Sequence, residues 1–192
     1  MRSPPAFLAL LALLALTACA RPDPRCAVLP GGGRYCLQPT TAIAPFAAQQ
    51  KVDAAIDGRR ETMIVDIETD ANGMRVAVLT PFGHKLVEMG YDNAVASASA
   101  RPDPRLDPAL AMAMLQLALW PAEAVRAGLD EGGEGVALEE GERQRRILSG
   151  GEVLMSVSWD GNAAPYRRLT IALPAARLTL EVETLFDMEN QQ

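Results

Sequence analysis

Glu61–Thr80 reads ETMIVDIETDANGMRVAVLT. Met63, Val65 and Ile67 alternate with Ile64, Asp66 and Glu68. After Asn72-Gly73 the alternation resumes, with Met74, Val76, Val78 and Thr80 on one side. Successive side chains of a strand point to opposite faces, so each half offers one face to a core and the other to water. Asn-Gly supplies the positive φ angles that a tight hairpin turn needs, and the stretch therefore reads as an antiparallel hairpin and not as a helix.

The same grammar extends both ways. Upstream, Phe46, Ala48, Gln50, Val52, Ala54 and Ile56 share one face of an extended segment that stops at Asp57-Gly58. Downstream, Pro81-Phe82-Gly83 turns the chain into His84–Tyr91 (HKLVEMGY), which ends before Asp92-Asn93. Ser97–Pro108 (SASARPDPRLDP) repeats the ARPDPR string of Ala20–Arg25 and is proline-rich, so it reads as a connection. Asp107 then supplies a helix N-cap and Pro108 a first helical position where a missing N–H costs nothing. This predicts a helix to about Trp120 and a second over Ala122–Leu129, so that residues 107–130 are helical. Strands resume at Gly135–Leu138, Glu142–Leu148, Glu152–Asp160, Tyr166–Leu173 and Arg177–Leu185. Four strands, a helical pair and five strands make a mainly β, α+β domain over residues 46–192; helices grouped together exclude a doubly wound sheet.

Residues 1–18 form a secretory signal: Arg2 precedes the unbroken apolar run AFLALLALLAL (Ala6–Leu16), which is too short for a membrane span of ~20 residues. The segment closes on Leu16-Thr17-Ala18-Cys19, which resembles the bacterial lipobox. That resemblance makes Cys19 the acylated first residue of a lipoprotein. Each buried methylene contributes ~0.8 kcal/mol, so such an anchor is durable. By the sorting rule of the lipoprotein class that the lipobox resembles, Ala20 in place of Asp after the cysteine implies the outer membrane, facing the periplasm. Residues 19–45 are expected to hold the acylated cysteine, a Pro-rich tether and a loop in which Cys26 and Cys36 flank Pro30-Gly31-Gly32-Gly33. In a compartment that permits disulfides these two cysteines are expected to pair; their spacing is not CxxC.

The net charge of −6 argues against nucleic acid and against adhesion to anionic lipid through charge alone. Chemistry-bearing motifs are sparse. His84 is the single histidine, there is no GxSxG, P-loop or Rossmann glycine pattern, and neither a metal nor a cofactor is expected. Glu139, Glu140 and Glu142 read as a solvated turn, Glu181 and Glu183 as the outer face of a strand. Arg143, Arg145 and Arg146 read as a solvated edge or a contact for phosphate. An enzyme is not expected. The unusual element is Ala109–Trp120 (ALAMAMLQLALW), where only Gln116 is polar. A helix apolar all round must be covered all round, by protein or by an apolar ligand, and methionine repacks readily around variable shapes.

The lipobox, the tether, the string Thr80-Pro81-Phe82-Gly83-His84, the Tyr91-Asp92 strand end, the helix finishing at Leu119-Trp120-Pro121 and the Arg145-Arg146 pair together resemble an uncharacterised family of proteobacterial outer-membrane lipoproteins, similar in layout to the LolA/LolB carriers. The resemblance implies a strongly curved antiparallel sheet, an incomplete barrel with a helical lid or plug. It implies a lipid or lipidated ligand, with aryl polyene lipids among the candidates, and no catalytic set. Periodicity nominates Val65, Val78, Leu86, Met112, Met114, Leu117 and Trp120 as cavity lining. The alternative is a structural or assembly lipoprotein with a filled core that docks a protein partner.

Overall fold

Period-two patterning folds into one ten-stranded antiparallel sheet. The computed structural model describes residues 23–100, 107–133 and 135–187; the apolar leader and Cys19 lie outside the described residues. Strands β3 (Phe46–Ile56), β4 (Arg59–Asp70), β5 (Gly73–Leu79), β6 (Lys85–Tyr91) and β7 (Ala96–Ala100) form a first meander. A second consists of β8 (Val136–Glu140), β9 (Gln144–Ser149), β10 (Glu152–Asp160), β11 (Arg168–Leu173) and β12 (Leu178–Asp187). β12 pairs with β3 and joins the two into the order β7-β6-β5-β4-β3-β12-β11-β10-β9-β8. The edges β7 and β8 do not pair with each other. The sheet is thus not closed, consistent with an incomplete barrel.

One face carries the core. Val52, Val65, Ile67, Met74, Val76, Val157, Ile171 and Val182 are buried on it, while Asp53, Glu68, Arg75 and Glu183 turn the other way. Helices α1 (Pro108–Leu119) and α2 (Ala122–Gly132) connect the two edge strands. α1 touches β6 and β7, and α2 touches β8. The Asp107 carboxylate accepts the Ala109 N–H at 2.9 Å, which is the N-cap that the sequence predicts. No described helix is long and apolar enough to cross a membrane.

A small ribbon of β1 (Cys26–Val28) and β2 (Arg34–Cys36) packs beneath the helices. Cys26 and Cys36 face each other in its ladder and form a disulfide. The ribbon belongs to the folded body: Tyr35 and Leu37 are fully buried. Two glycines allow this. A Cβ on Gly128 would stand 2.4 Å from the Tyr35 ring, and one on Gly132 would stand 2.2 Å from the Arg34 carbonyl oxygen, so α2 rests directly on β2.

Several local expectations change. Ser97–Ala100, expected in a connection, is part of strand β7 and pairs with β6, since backbone hydrogen bonds do not need bulky side chains. Glu139 and Glu140 sit in β8, not in a turn, opposite Arg146 and Arg145. In β6 the residues facing the core are Val87, Met89 and Tyr91, and Leu86 is 40% exposed. A register shift between Val78 and Leu79 reverses the phase of alternation at that point.

Candidate functional site

The nominated lining residues divide by depth. Val65, Met112, Leu117 and Trp120 join one buried cluster, and Val78 and Met114 are half-buried against it. Leu86 lies outside it. Residues 116–120, at the C-terminal end of α1, are therefore solid core. The partly exposed residues of α1 are Ala109 in its first turn and Leu110, Ala111, Met114 and Leu115, which form one stripe of the helix. At the Ile56 end of the sheet the core-facing side also stays partly open: Leu178, Leu180, Met63 and Val78 are half-buried and Ile56 is 46% exposed. β12 and β3 place Leu178 opposite Ile56 and Leu180 opposite Ala54, so this lip is continuous across the join between the meanders.

Beyond the lip, Ala54, Ile56, Asp57, Arg59 and Glu61 enclose a hollow of about 400 Å³. A larger hollow of about 720 Å³ lies on the opposite face of the first meander. Ala47, Glu68, Arg75, Gly90 and Ser97 form one cross-strand row in it, and the β4–β5 and β6–β7 turns wall it. Its carboxylates are occupied. Glu68 pairs with Arg75 at 3.1 Å, and Asp70 accepts the N–H groups of Asn72 and Gly73. Asp92 accepts those of Val95 and Ala94, which hold its carboxyl below the usual range.

Polar side chains fix α1 at one end. Gln116 is fully buried: its Oε1 accepts the Gln38 N–H at 2.7 Å and the Tyr35 hydroxyl at 3.1 Å, and its Nε2 donates to the Gln38 carbonyl at 2.8 Å. Trp120 Nε1 donates to the Pro39 carbonyl at 3.3 Å, and the Tyr91 hydroxyl donates to the Leu37 carbonyl at 3.1 Å. Residues 37–39 thus strap the helix to β6. Arg145 binds it from the other meander. Arg145 Nη1 donates to the Leu117 and Trp120 carbonyls, both at 2.9 Å, and its Nη2 to Glu140 at 3.0 Å. The guanidinium lies 5.3 Å from the Trp159 ring centroid, and Trp159 stacks on Tyr166. The expected solvated arginine edge holds for Arg143 and Arg146 only; Arg145 is 2% exposed. The signal that reading missed is alternation, because Arg145 and Ile147 share a strand face.

His84 is exposed in the β5–β6 turn, where its N–H donates to Thr80 Oγ1 at 3.1 Å. Among the described residues, no three His, Cys, Asp or Glu side chains gather as metal ligands. The arrangement offers apolar surface, a solid base and charged rims.

A family model described as "Protein of unknown function (DUF3261)" matches residues 47–185. The chain belongs to the DUF3261 family. The matched span runs from β3 to β12, so it includes all of the sheet but Phe46, Phe186 and Asp187 and both helices of this DUF3261 member, and omits the disulfide ribbon. No curated protein matches the sequence. Among solved structures, a LolA superfamily protein from Nitrosomonas europaea is similar at 8% identity, over 78% of this chain and 89% of that one, with a TM-score of 0.44.

Proposed function

We propose that this DUF3261 member binds an amphiphilic lipid or lipid-linked molecule, without catalysis, on the apolar lip at the Ile56 end of its sheet. The observation that carries the reading is the continuous strip of Leu178, Leu180, Ile56, Met63 and Val78, left partly open at one end of a sheet whose other end is closed. About ten methylenes taken up there would contribute ~8 kcal/mol before ordering costs, enough for micromolar binding. The sequence supports an acyl anchor at Cys19 and a periplasm-facing position at the outer membrane; the resemblance adds polyene-bearing lipids to the cargo classes. Phe82, 89% exposed in the β5–β6 turn, is a further apolar group available to a partner or membrane.

Native mass spectrometry with lipid extraction, on protein carrying Cys19→Ala and purified from its own envelope, tests the reading. A bound amphiphile is expected, lost in Met114→Asp, a half-buried position, when that variant keeps the wild-type far-UV circular dichroism. A ligand-free protein that also fails to take up a fluorescent fatty acid overturns it.

A second reading has its own observation. Met112, Leu117 and Trp120 are packed to zero exposure and the 720 Å³ hollow lies on the far face, which favours a filled-core assembly module that docks a protein. Loss of a partner-dependent phenotype on Gly90→Arg, with lip variants silent, would select it.

A further inference from the structure

We propose that the hollow at the Ile56 end is a subsite for an oxyanion, carboxylate or phosphate, borne on the head of the amphiphile, and that Arg59 recognises it. The inference rests on the amphiphile reading above. β3 and β4 pair with Ile56 opposite Arg59 and Ala54 opposite Glu61, so these four side chains share the face that carries Val52 and Val65. Ala54 is 4% exposed and forms the floor. Across β12, Leu180 and Leu178 continue that floor as hydrocarbon. An alkyl tail lying on the lip would bring its head to the rim formed by Asp57, Arg59 and Glu61.

The rim charges are not equivalent. Asp57 is held by Arg177 Nε at 2.8 Å. Arg59 and Glu61 form no ion pair among the described residues. A guanidinium offers a planar fork of donors matched to carboxylate and phosphate, and it is weakly hydrated, which suits it to a mouth with an apolar floor. Glu61, on the same rim, opposes an anion by like charge. Arg60, the next residue, faces the other way, beside Asp53 and Thr179, and serves as an internal control.

The test is displacement of the uncharged fluorophore N-phenylnaphthylamine from the protein carrying Cys19→Ala, by decanol, decanoate, decyl phosphate and inorganic phosphate. Both anionic amphiphiles are expected to bind about three- to tenfold more tightly than decanol, the range for a partly exposed charge-assisted contact. Raising salt to about 0.5 M should shrink that preference by screening. Arg59→Gln should abolish the preference and leave decanol affinity unchanged, Glu61→Gln should enlarge it, and Arg60→Gln should do neither. Equal binding of decanol and the anions in the wild type, or a preference that survives Arg59→Gln, overturns the subsite. Displacement by inorganic phosphate as effective as by decyl phosphate also overturns it, because the ion alone would then be the ligand. If decanol and both anions all fail to bind, the amphiphile reading falls and takes this one with it.

Discussion

Arg145 concentrates more structural duty than any other charged side chain described. It sits on β9 with Ile147, faces the core, and supplies two donors to the Leu117 and Trp120 carbonyls at the end of α1, where a helix leaves carbonyls without intrahelical partners. Cations at a helix C-terminus also meet the negative end of its dipole. Arg145→Met keeps the bulk and removes the donors, leaving two carbonyls and Glu140 without their partner. The expected loss is about 2–4 kcal/mol, read as a lower urea midpoint, with faster amide exchange confined to α1 and β8. Arg145→Lys should recover only part of it, since one ammonium cannot span two carbonyls and a carboxylate while stacking on Trp159. Wild-type stability in Arg145→Met would mean that the Gln116 and Trp120 hydrogen bonds and apolar packing hold α1 without it. Single residues of this kind were misread: alternation puts Arg145 on the face of Ile147, but the arginine run reads as a solvated edge, and nothing local in the sequence shows that a helix terminus arrives there.

At the scale of elements, the long strands were legible because their apolar faces alternate and their turns carry Asp-Gly or Asn-Gly. β7 was not: Ala96–Ala100 is ASASA, which has no apolar face to detect, and its strand character comes from pairing with β6. β1 and β2, at three residues each, are too short for periodicity, although the cysteine pair marked their ladder. The strap they introduce makes a pH prediction. Burial raises the phenols of Tyr35 and Tyr91, the latter to about 12, and both donate hydrogen bonds that a phenolate cannot make. An unfolded tyrosine ionises near pH 10. Between about pH 10 and 12 the unfolded chain has therefore lost protons that the folded one keeps, so stability that is full below pH 10 falls as pH rises. The urea midpoint at pH 11 should lie below that at pH 9, and Tyr35→Phe should shrink the difference while lowering the midpoint at pH 9. A midpoint flat from pH 9 to 11 would show that these phenols reach solvent.

The whole molecule depends on one non-local ladder. Each meander is built from neighbours in sequence, yet neither closes on itself, and among the described residues their only shared pairing runs from β3 to β12, where Val52 meets Val182 and Lys51 meets Glu183. Contacts so far apart in the chain repay their loop-closure entropy only when both meanders are nearly complete, which predicts a single cooperative unit. A chain ending at Arg177 would lose Leu178, Leu180 and Val182 from the core and leave β3 and β11 as long unpaired edges, a known route to aggregation. We expect that chain to show no cooperative thermal transition by far-UV circular dichroism and to bind a hydrophobic dye strongly. Val182→Asp, which buries a carboxylate at the same ladder, should lower stability by several kcal/mol and affect β4–β6 and β9–β11 together in hydrogen exchange. If the truncated chain instead keeps a sharp transition, or if Val182→Asp loosens one meander and spares the other, the two halves fold independently. The lip, whose Leu178 and Leu180 come from β12 and whose Ile56 comes from β3, would then be a seam between two bodies that could open to admit a ligand without any movement of α1.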